Sequence, residues 1–511
     1  MAVIVPSFIF NLNFFDILLY AFITLIIYTV IVYVEHLIQL KNYPPGPFPV
    51  PVLGNVHQID GRRPQESLQK FGKIYGDVFS ISFGMSRVVI VNTIEPMKEA
   101  LLKKSEDFAG RPQDNYLFKM LTRDFQDVAV GDYNKKWILL RKTMLRGLKT
   151  FANHFEKLEC KVARETEKCQ KRLAKKETNG EPVNLEDEFA LIIVGVLYCI
   201  MFGEEINENV NEGDLQTILN YMKVFHDAFS HGNLTSVFPL LRFIPIPENQ
   251  ATKKLKDITD DFLKQKYDHH LATLDKEDPK CFLDHLILTA EEINKEGEIQ
   301  ITRDNIELVF GDMMVGGIDT TVVNLLWTIL YLLHNPDVHQ KALEEIERVV
   351  GTGRYPELQD RPSMPYMMSI VNESLRLTSG PFTLPHTTTK ATSVGGHNLK
   401  KGTPCLFNIW TAHRDEKYWE NPNEFKPSRW LDEEGKFNQH LHPSYLPFGL
   451  GKRSCVGETT ARPELFLILS RLIVSFKISA NPNQPLPKTS EEIIASVKYP
   501  LPYTVMVEER K

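Results

Sequence analysis

The sequence predicts a mainly α protein with a small β part, built as one large domain behind an N-terminal transmembrane helix. Three observations carry this. Residues 17–34 contain no charged side chain. Residues 77–92, DVFSISFGMSRVVIVN, alternate in strand fashion. From about Glu95 to Gln340 the apolar residues recur mainly at helical spacing. With 511 residues and 43% hydrophobic content, the chain can bury a large core. Length alone would allow about three domains. No internal repeat and no second linker divides the chain, so residues 44–511 read as a single domain.

The first element is a membrane anchor within residues 1–43, with its span at about 14–34. At about 1.5 Å per residue its uncharged run covers about 27 Å, close to a bilayer core of about 30 Å. Asp16 is the only charged side chain before Glu35. The run is long for a signal-peptide core and no basic segment precedes it. Tyr28 and Tyr33 suit an interface. Lys41, Arg62, Arg63, Lys70 and Lys73 follow the span and no Lys or Arg precedes it, which places the remainder in the cytosol. The sequons at Asn233 and Asn372 are then chance matches. Pro44-Pro45-Gly46-Pro47 cannot continue a helix and gives a stiff exit. The acidic stretches 203–214 and 275–298 read as surface loops or helix ends. A net charge of −6 gives no sign of nucleic-acid binding. Six cysteines without a CxxC pair argue against structural zinc and a disulfide framework, and fit a reducing compartment.

The most specific stretch is FGLGKRSCVG, residues 448–457. Glycines permit tight turns and close approach of backbone N–H groups to a sulfur. A fixed cation stands two residues before the thiol. A buried packing cysteine needs neither feature, whereas a metal ligand uses both. F-G-x-G-x-R-x-C-x-G resembles the haem-binding loop of the cytochrome P-450 superfamily, the haem-thiolate monooxygenases. The resemblance implies that fold, haem b as cofactor and Cys455 as proximal iron ligand. It also implies that Arg453 pairs with a haem propionate and that Phe448 and Gly457 frame the thiolate.

Other stretches support the same family. Phe310–Thr321 lies in a long apolar helix, yet holds Gly316, Gly317 and Asp319. Each glycine costs a helix up to about 1 kcal/mol, so something offsets it. The Thr320 hydroxyl can bond the carbonyl four residues back. The segment is similar to the family's oxygen-binding helix, which implies that Thr320 and Asp319 are catalytic and relay protons. Glu373-Ser-Leu-Arg376 puts an acid and a base on one helix face. Glu345-Ile-Glu-Arg348 fits the same pattern, but in an alternating-charge helix that reads as solvated. By resemblance, Arg429 in FKPSRW completes a structural cluster with Glu373 and Arg376. Trp137 and Arg141 form an i, i+4 pair. With Arg111 and His386 they occupy places where related enzymes bind haem propionates.

Residues 134–150 carry six basic side chains and no acid. This reads as a docking patch for an acidic electron donor. No flavin or dinucleotide fingerprint was found, so electrons come from another protein. For a microsomal-type member the resemblance implies the NADPH-cytochrome reductase, with cytochrome b5 as a second donor, at the endoplasmic reticulum membrane. Within the family the chain is most similar to the steroid 17-alpha-hydroxylase/17,20-lyase and steroid 21-hydroxylase group. That implies a lipophilic, steroid-like substrate beside Val315, Gly316 and Phe382. Xenobiotic or fatty-acid oxidation is the alternative, followed by a non-oxygenating isomerase of oxygenated lipids. Asp319 stands where the vertebrate 17-alpha enzymes have Glu, and no lyase activity is assigned.

Overall fold

The computed structural model describes residues 14–151, 155–206, 211–230, 234–351, 353–494 and 497–510. The described residues are mainly helical (58%), as the periodicity predicts, with a small sheet part. Residues 207–210 of the first acidic stretch and the sequon residue Asn233 lie outside the described residues. The other sequon residue, Asn372, is fully buried, where no sugar could attach.

The anchor helix runs Phe14–Leu40, six residues beyond the predicted span. Among the described residues, two helices are long and apolar enough to cross a membrane. The anchor's apolar window is 0% buried, whereas that of Arg303–His334 is 78% buried, so the second is a core helix. Tyr33 donates to the Pro49 carbonyl at 2.7 Å, and His36 Nε2 meets Ser82 Oγ at 3.1 Å. These contacts seat the end of the anchor on the first hairpin.

The alternating stretch forms that hairpin, Val78–Phe83 paired antiparallel with Ser86–Val91. Pro404–Asn408 adds in parallel to the second strand and Thr383–Thr387 closes the four-stranded sheet. The central helix Arg303–His334 begins at Thr302, which forms a capping box with Asn305. Around it pack Leu185–Phe202, Pro247–Thr273, Pro365–Thr378 and Glu458–Ser475. Their apolar faces form the main core, including Phe189, Phe310, Leu330, Phe466 and Leu469.

Two sequence expectations are corrected. The stretch 275–298 contains the helix Phe282–Glu296, whose Phe282, Leu286 and Ile287 are buried. Its acidic residues had concealed a one-sided apolar pattern. Glu345 is not solvated: it is buried and accepts N–H bonds from Tyr366 (2.9 Å) and Met367 (2.7 Å). It caps the start of Pro365–Thr378, where helix amides lack internal acceptors. Arg348 is exposed.

Candidate active site

Residues 448–457 turn back sharply before the helix Glu458–Ser475. Gly449 and Gly451 have φ of 69° and 72°. A Cβ on Gly451 would lie 1.9 Å from the Leu101 carbonyl oxygen. Gly451→Ala is therefore expected to destabilise the protein by at least about 1–3 kcal/mol, read as a lower melting temperature. An unchanged melting temperature would count against this packing.

The turn aims Cys455. Its N–H donates to the Phe448 carbonyl at 2.8 Å, and its sulfur accepts the Gly457 N–H at 3.3 Å. Gly457 is the N-cap of the following helix, so the sulfur sits at that helix's positive end. Burial raises the thiol pKa, while the Gly457 N–H and the Arg141 charge oppose the rise. Cys169, Cys281 and Cys405 are buried, but the Cys455 sulfur opens into a cavity of about 300 Å³.

The opposite wall is a stripe of the central helix: Asp312, Met313, Gly316, Gly317, Thr320, Thr321 and Asn324. These positions recur at three- and four-residue spacing, one helix face. The two glycines serve different ends. A Cβ on Gly317 would meet Leu197 Cδ1 at 2.7 Å, whereas one on Gly316 would meet nothing within 4 Å and would enter the cavity. Thr320 Oγ1 donates to the Gly316 carbonyl at 2.7 Å, as its position suggests.

Val315 and Asp319 are one residue out of phase with this stripe, and Val315 is not among the cavity-lining residues. Phe382 does not line it either, although Pro381 and Leu384 do. Of the three expected substrate contacts, only Gly316 faces the cavity. Asp319 is buried, 3.6 Å from His226 Nε2 and hydrogen-bonded to Tyr499. The His226 ring stands edge-on to Tyr499 at 4.4 Å.

Beside the cavity lie three arginines. Arg453 is buried, donating to the Ala109 and Gly131 carbonyls at 2.7 Å each. Its guanidinium lies 3.8 Å from the centre of the Trp137 ring. Arg141 donates to the Ser454 carbonyl, and Arg111 to those of Pro385 and Ala129. Trp137 spends its N–H on the Val128 carbonyl at 2.9 Å, so it acts as a platform for guanidinium groups. His386 is buried, held by the Phe108 carbonyl at 2.7 Å. Burial first, and then Arg111, push its pKa well below the ordinary imidazole value.

Glu373, Arg376 and Arg429 meet as expected. Glu373 accepts from Arg376 at 2.8 and 2.9 Å, from Arg429 at 2.9 Å and from Trp430 Nε1 at 3.0 Å. Arg376 also donates to the His413, Pro422 and Glu424 carbonyls, tying down the segment ahead of the cysteine loop.

A family model described as Cytochrome P450 matches residues 44–507. The chain belongs to the cytochrome P450 family. This P450 is 32% identical over 451 residues to the steroid 17-alpha-hydroxylase/17,20 lyase of Ictalurus punctatus, covering 87% of each chain. It is 34% identical over 462 residues to cytochrome P450 1A1 of Opsanus tau, covering 88% of this chain and 87% of the relative. With the steroid 17-alpha-hydroxylase/17,20 lyase of Gallus gallus it shares 32% over 450 residues, 86% of each chain. The P450 is thus a haem-dependent monooxygenase. Family members take electrons from redox partners and bind lipophilic substrates.

The residues present fit a haem. Burial and mutual repulsion lower the pKa of Arg453 to about 8, and burial lowers that of Arg111 to about 10. Asp127 and Asp132 offset this only partly. A dianionic group beside the arginines and a metal against the sulfur would satisfy both halves of the site.

Sequence alone assigns no role to Asp312 or Glu464, while Asp127, His226 and Tyr499 fall in the segments 115–127, 219–230 and 499–501 that read as specificity-bearing. Glu464 lines the cavity, and burial raises its pKa to about 8. Its signal was available: an acid on the buried stripe of a helix that begins at the cysteine loop.

Proposed function

We propose that this P450 is a microsomal monooxygenase that inserts one oxygen atom of O2 into a lipophilic, steroid-like substrate. The observation that carries the reading is the Cys455 sulfur opening into a cavity whose opposite wall is the Gly316–Thr320 stripe. In this reading Cys455 would hold the iron, Arg111, Arg141, Arg453 and His386 would pair with the propionates, and Phe448 and Gly457 would frame the thiolate. When bound there, haem b supplies oxygen activation at a thiolate-ligated iron. Glu373, Arg376 and Arg429 hold the loop and touch no reactant.

The chain's own residues do the remainder. Leu197, Ile200, Met313 and Leu384 exclude water and hold an apolar substrate. Gly316 leaves the space it occupies. Thr320 donates its hydrogen to Gly316, leaving its oxygen free to accept a hydrogen bond in the cavity. Asp319 holds its carboxyl behind Thr320, between His226 and Tyr499, and passes protons forward. Thr320→Ala is expected to lower product formed per NADPH by about tenfold or more, with hydrogen peroxide rising in its place. Unchanged coupling would remove Thr320 from the proton path. The same Thr320 geometry favours an oxygenating reading over an isomerase.

The relatives support the substrate class. Titrating the purified ferric protein with steroids, polycyclic aromatics and fatty acids, read by the haem spin-state shift, tests it. Steroids are expected to give the high-spin shift. A response to aromatics alone would move the assignment to xenobiotics, and one to fatty acids alone would end the steroid reading.

On the helix Lys135–Phe151, the side chains of Lys135, Lys142, Arg146 and Lys149 are exposed, which supports docking of an acidic donor such as the NADPH-cytochrome reductase or cytochrome b5. A single-pass placement in the endoplasmic reticulum, with the domain in the cytosol, is supported by a second apolar surface. Phe48, Val52, Leu240 and Phe243 are 65%, 49%, 80% and 87% exposed. Gly84 lies against both Val52 and Val237, which brings the two parts of that surface together.

A further inference from the structure

Residues 127–131 carry the carbonyls that hold Trp137 and the cavity-lining Arg453. The segment is fastened to the central helix at two points seven residues apart. Asn305 donates to the Gln126 carbonyl at 2.7 Å. Asp312 Oδ2 accepts the Val128 and Ala129 N–H groups at 2.8 and 3.1 Å. The first attachment is neutral at every pH. The second involves two acids, because the Asp127 side chain also lies in hydrogen-bond contact with Asp312.

Two carboxylates cannot hydrogen-bond to each other, since both only accept. Asp127 Oδ2 already accepts the Val130 N–H at 3.1 Å, and Asp127 Oδ1 has no donor among the described residues. Asp127 is 3% exposed, and the Asp312 carboxyl lies at the cavity wall. A proton between the carboxyls resolves the contact, as in other close acid pairs. We propose that Asp127 and Asp312 share one proton and form a latch that holds residues 127–131 against the central helix and Arg453, and that loss of this proton releases the segment.

Burial raises the pKa of Asp127, and burial together with the neighbouring Asp127 raises that of Asp312 strongly, while the hydrogen bond with Asp312 opposes the rise at Asp127. Arg111 faces Asp127 from the 109–111 segment and Arg453 faces it from the 451–453 turn. Tyr221 faces Asp312 from the helix Glu212–Ser230. The two arginines oppose the rise at Asp127, which leaves Asp312 the main proton holder. The sign follows. A group with a raised pKa in the docked state binds its proton more tightly there than when released. Docking is therefore strongest at low pH and weakens as pH rises through the ordinary carboxyl range and up to the pair's own titration. Just before the latch, Arg123, Asp124 and Phe125 hold φ of 47°, 66° and 61°, while Arg123 is paired with Asp260, Asp304 and Glu307. Three consecutive non-glycine residues in that region are strained.

Hydrogen–deuterium exchange of the full-length haem-loaded protein between pH 6 and 9.5, corrected for intrinsic exchange, tests the latch. Protection over 127–131 is expected to fall by up to about tenfold per pH unit until the pair itself has titrated, and then to level off. Protection over the buried part of the central helix should stay constant. Asp127→Asn replaces the shared proton by an amide donor, so it should keep the segment protected and remove the pH dependence. Asp312→Ala should expose the segment at every pH. Wild-type protection that does not vary with pH, or an Asp127→Asn protein that keeps the pH dependence, would overturn the proposal.

Discussion

Replacing Cys455 by serine is expected to abolish the thiolate signature of the reduced, carbon-monoxide-bound protein and to lower monooxygenation by about 10³-fold or more. The sulfur is the donor that opens into the cavity opposite the glycine stripe, and the Gly457 N–H and helix start that stabilise it act on a thiolate. Serine keeps the size and the hydrogen bond but presents an alcohol that stays protonated. Cys281→Ser and Cys405→Ser change buried thiols outside the cavity lining, so they should leave the spectrum unaltered. A serine variant at 455 that still showed the thiolate band would transfer the ligand role elsewhere.

Glu373→Ala should cost stability rather than chemistry. Arg376 is 0% exposed and both oxygens of Glu373 are committed to it, to Arg429, to Trp430 and to the Lys426 amide. Removing the acid strands two buried guanidinium groups, at about 3–5 kcal/mol. That is a large share of a domain's net stability of about 5–15 kcal/mol. The expected readout is protein that binds little haem and melts far below wild type. Normal haem content together with an unchanged melting temperature would dismiss the cluster as a scaffold. Arg348→Ala, in the sequence-equivalent pattern, should change stability by about 0.5 kcal/mol or less because that side chain is solvent-exposed.

The anchor, the hairpin and the central helix were legible because each depends on local pattern. An uncharged run, a two-residue alternation and a long apolar helix declare themselves within a few turns of chain. The cysteine loop was legible for a related reason: its glycines must be glycine, as the Leu101 carbonyl beside Gly451 shows. The fate of the two E-x-x-R patterns was only half legible. Spacing put each pair on one face, but not which acid would be buried or what it would cap.

The sequence by itself determined the fold class, the family and the residue types of the site, because backbone needs and ligand chemistry restrict what can stand at single positions. Only the tertiary structure decided which face of the central helix looks into the cavity. It set Gly316 and Thr320 there, left Val315 off the cavity lining and turned Asp319 toward His226 and Tyr499. It also brought Asp127 against Asp312 across 184 intervening positions. The reason is physical: the protonation and partners of a buried side chain depend on neighbours supplied by other elements, and no local pattern encodes them.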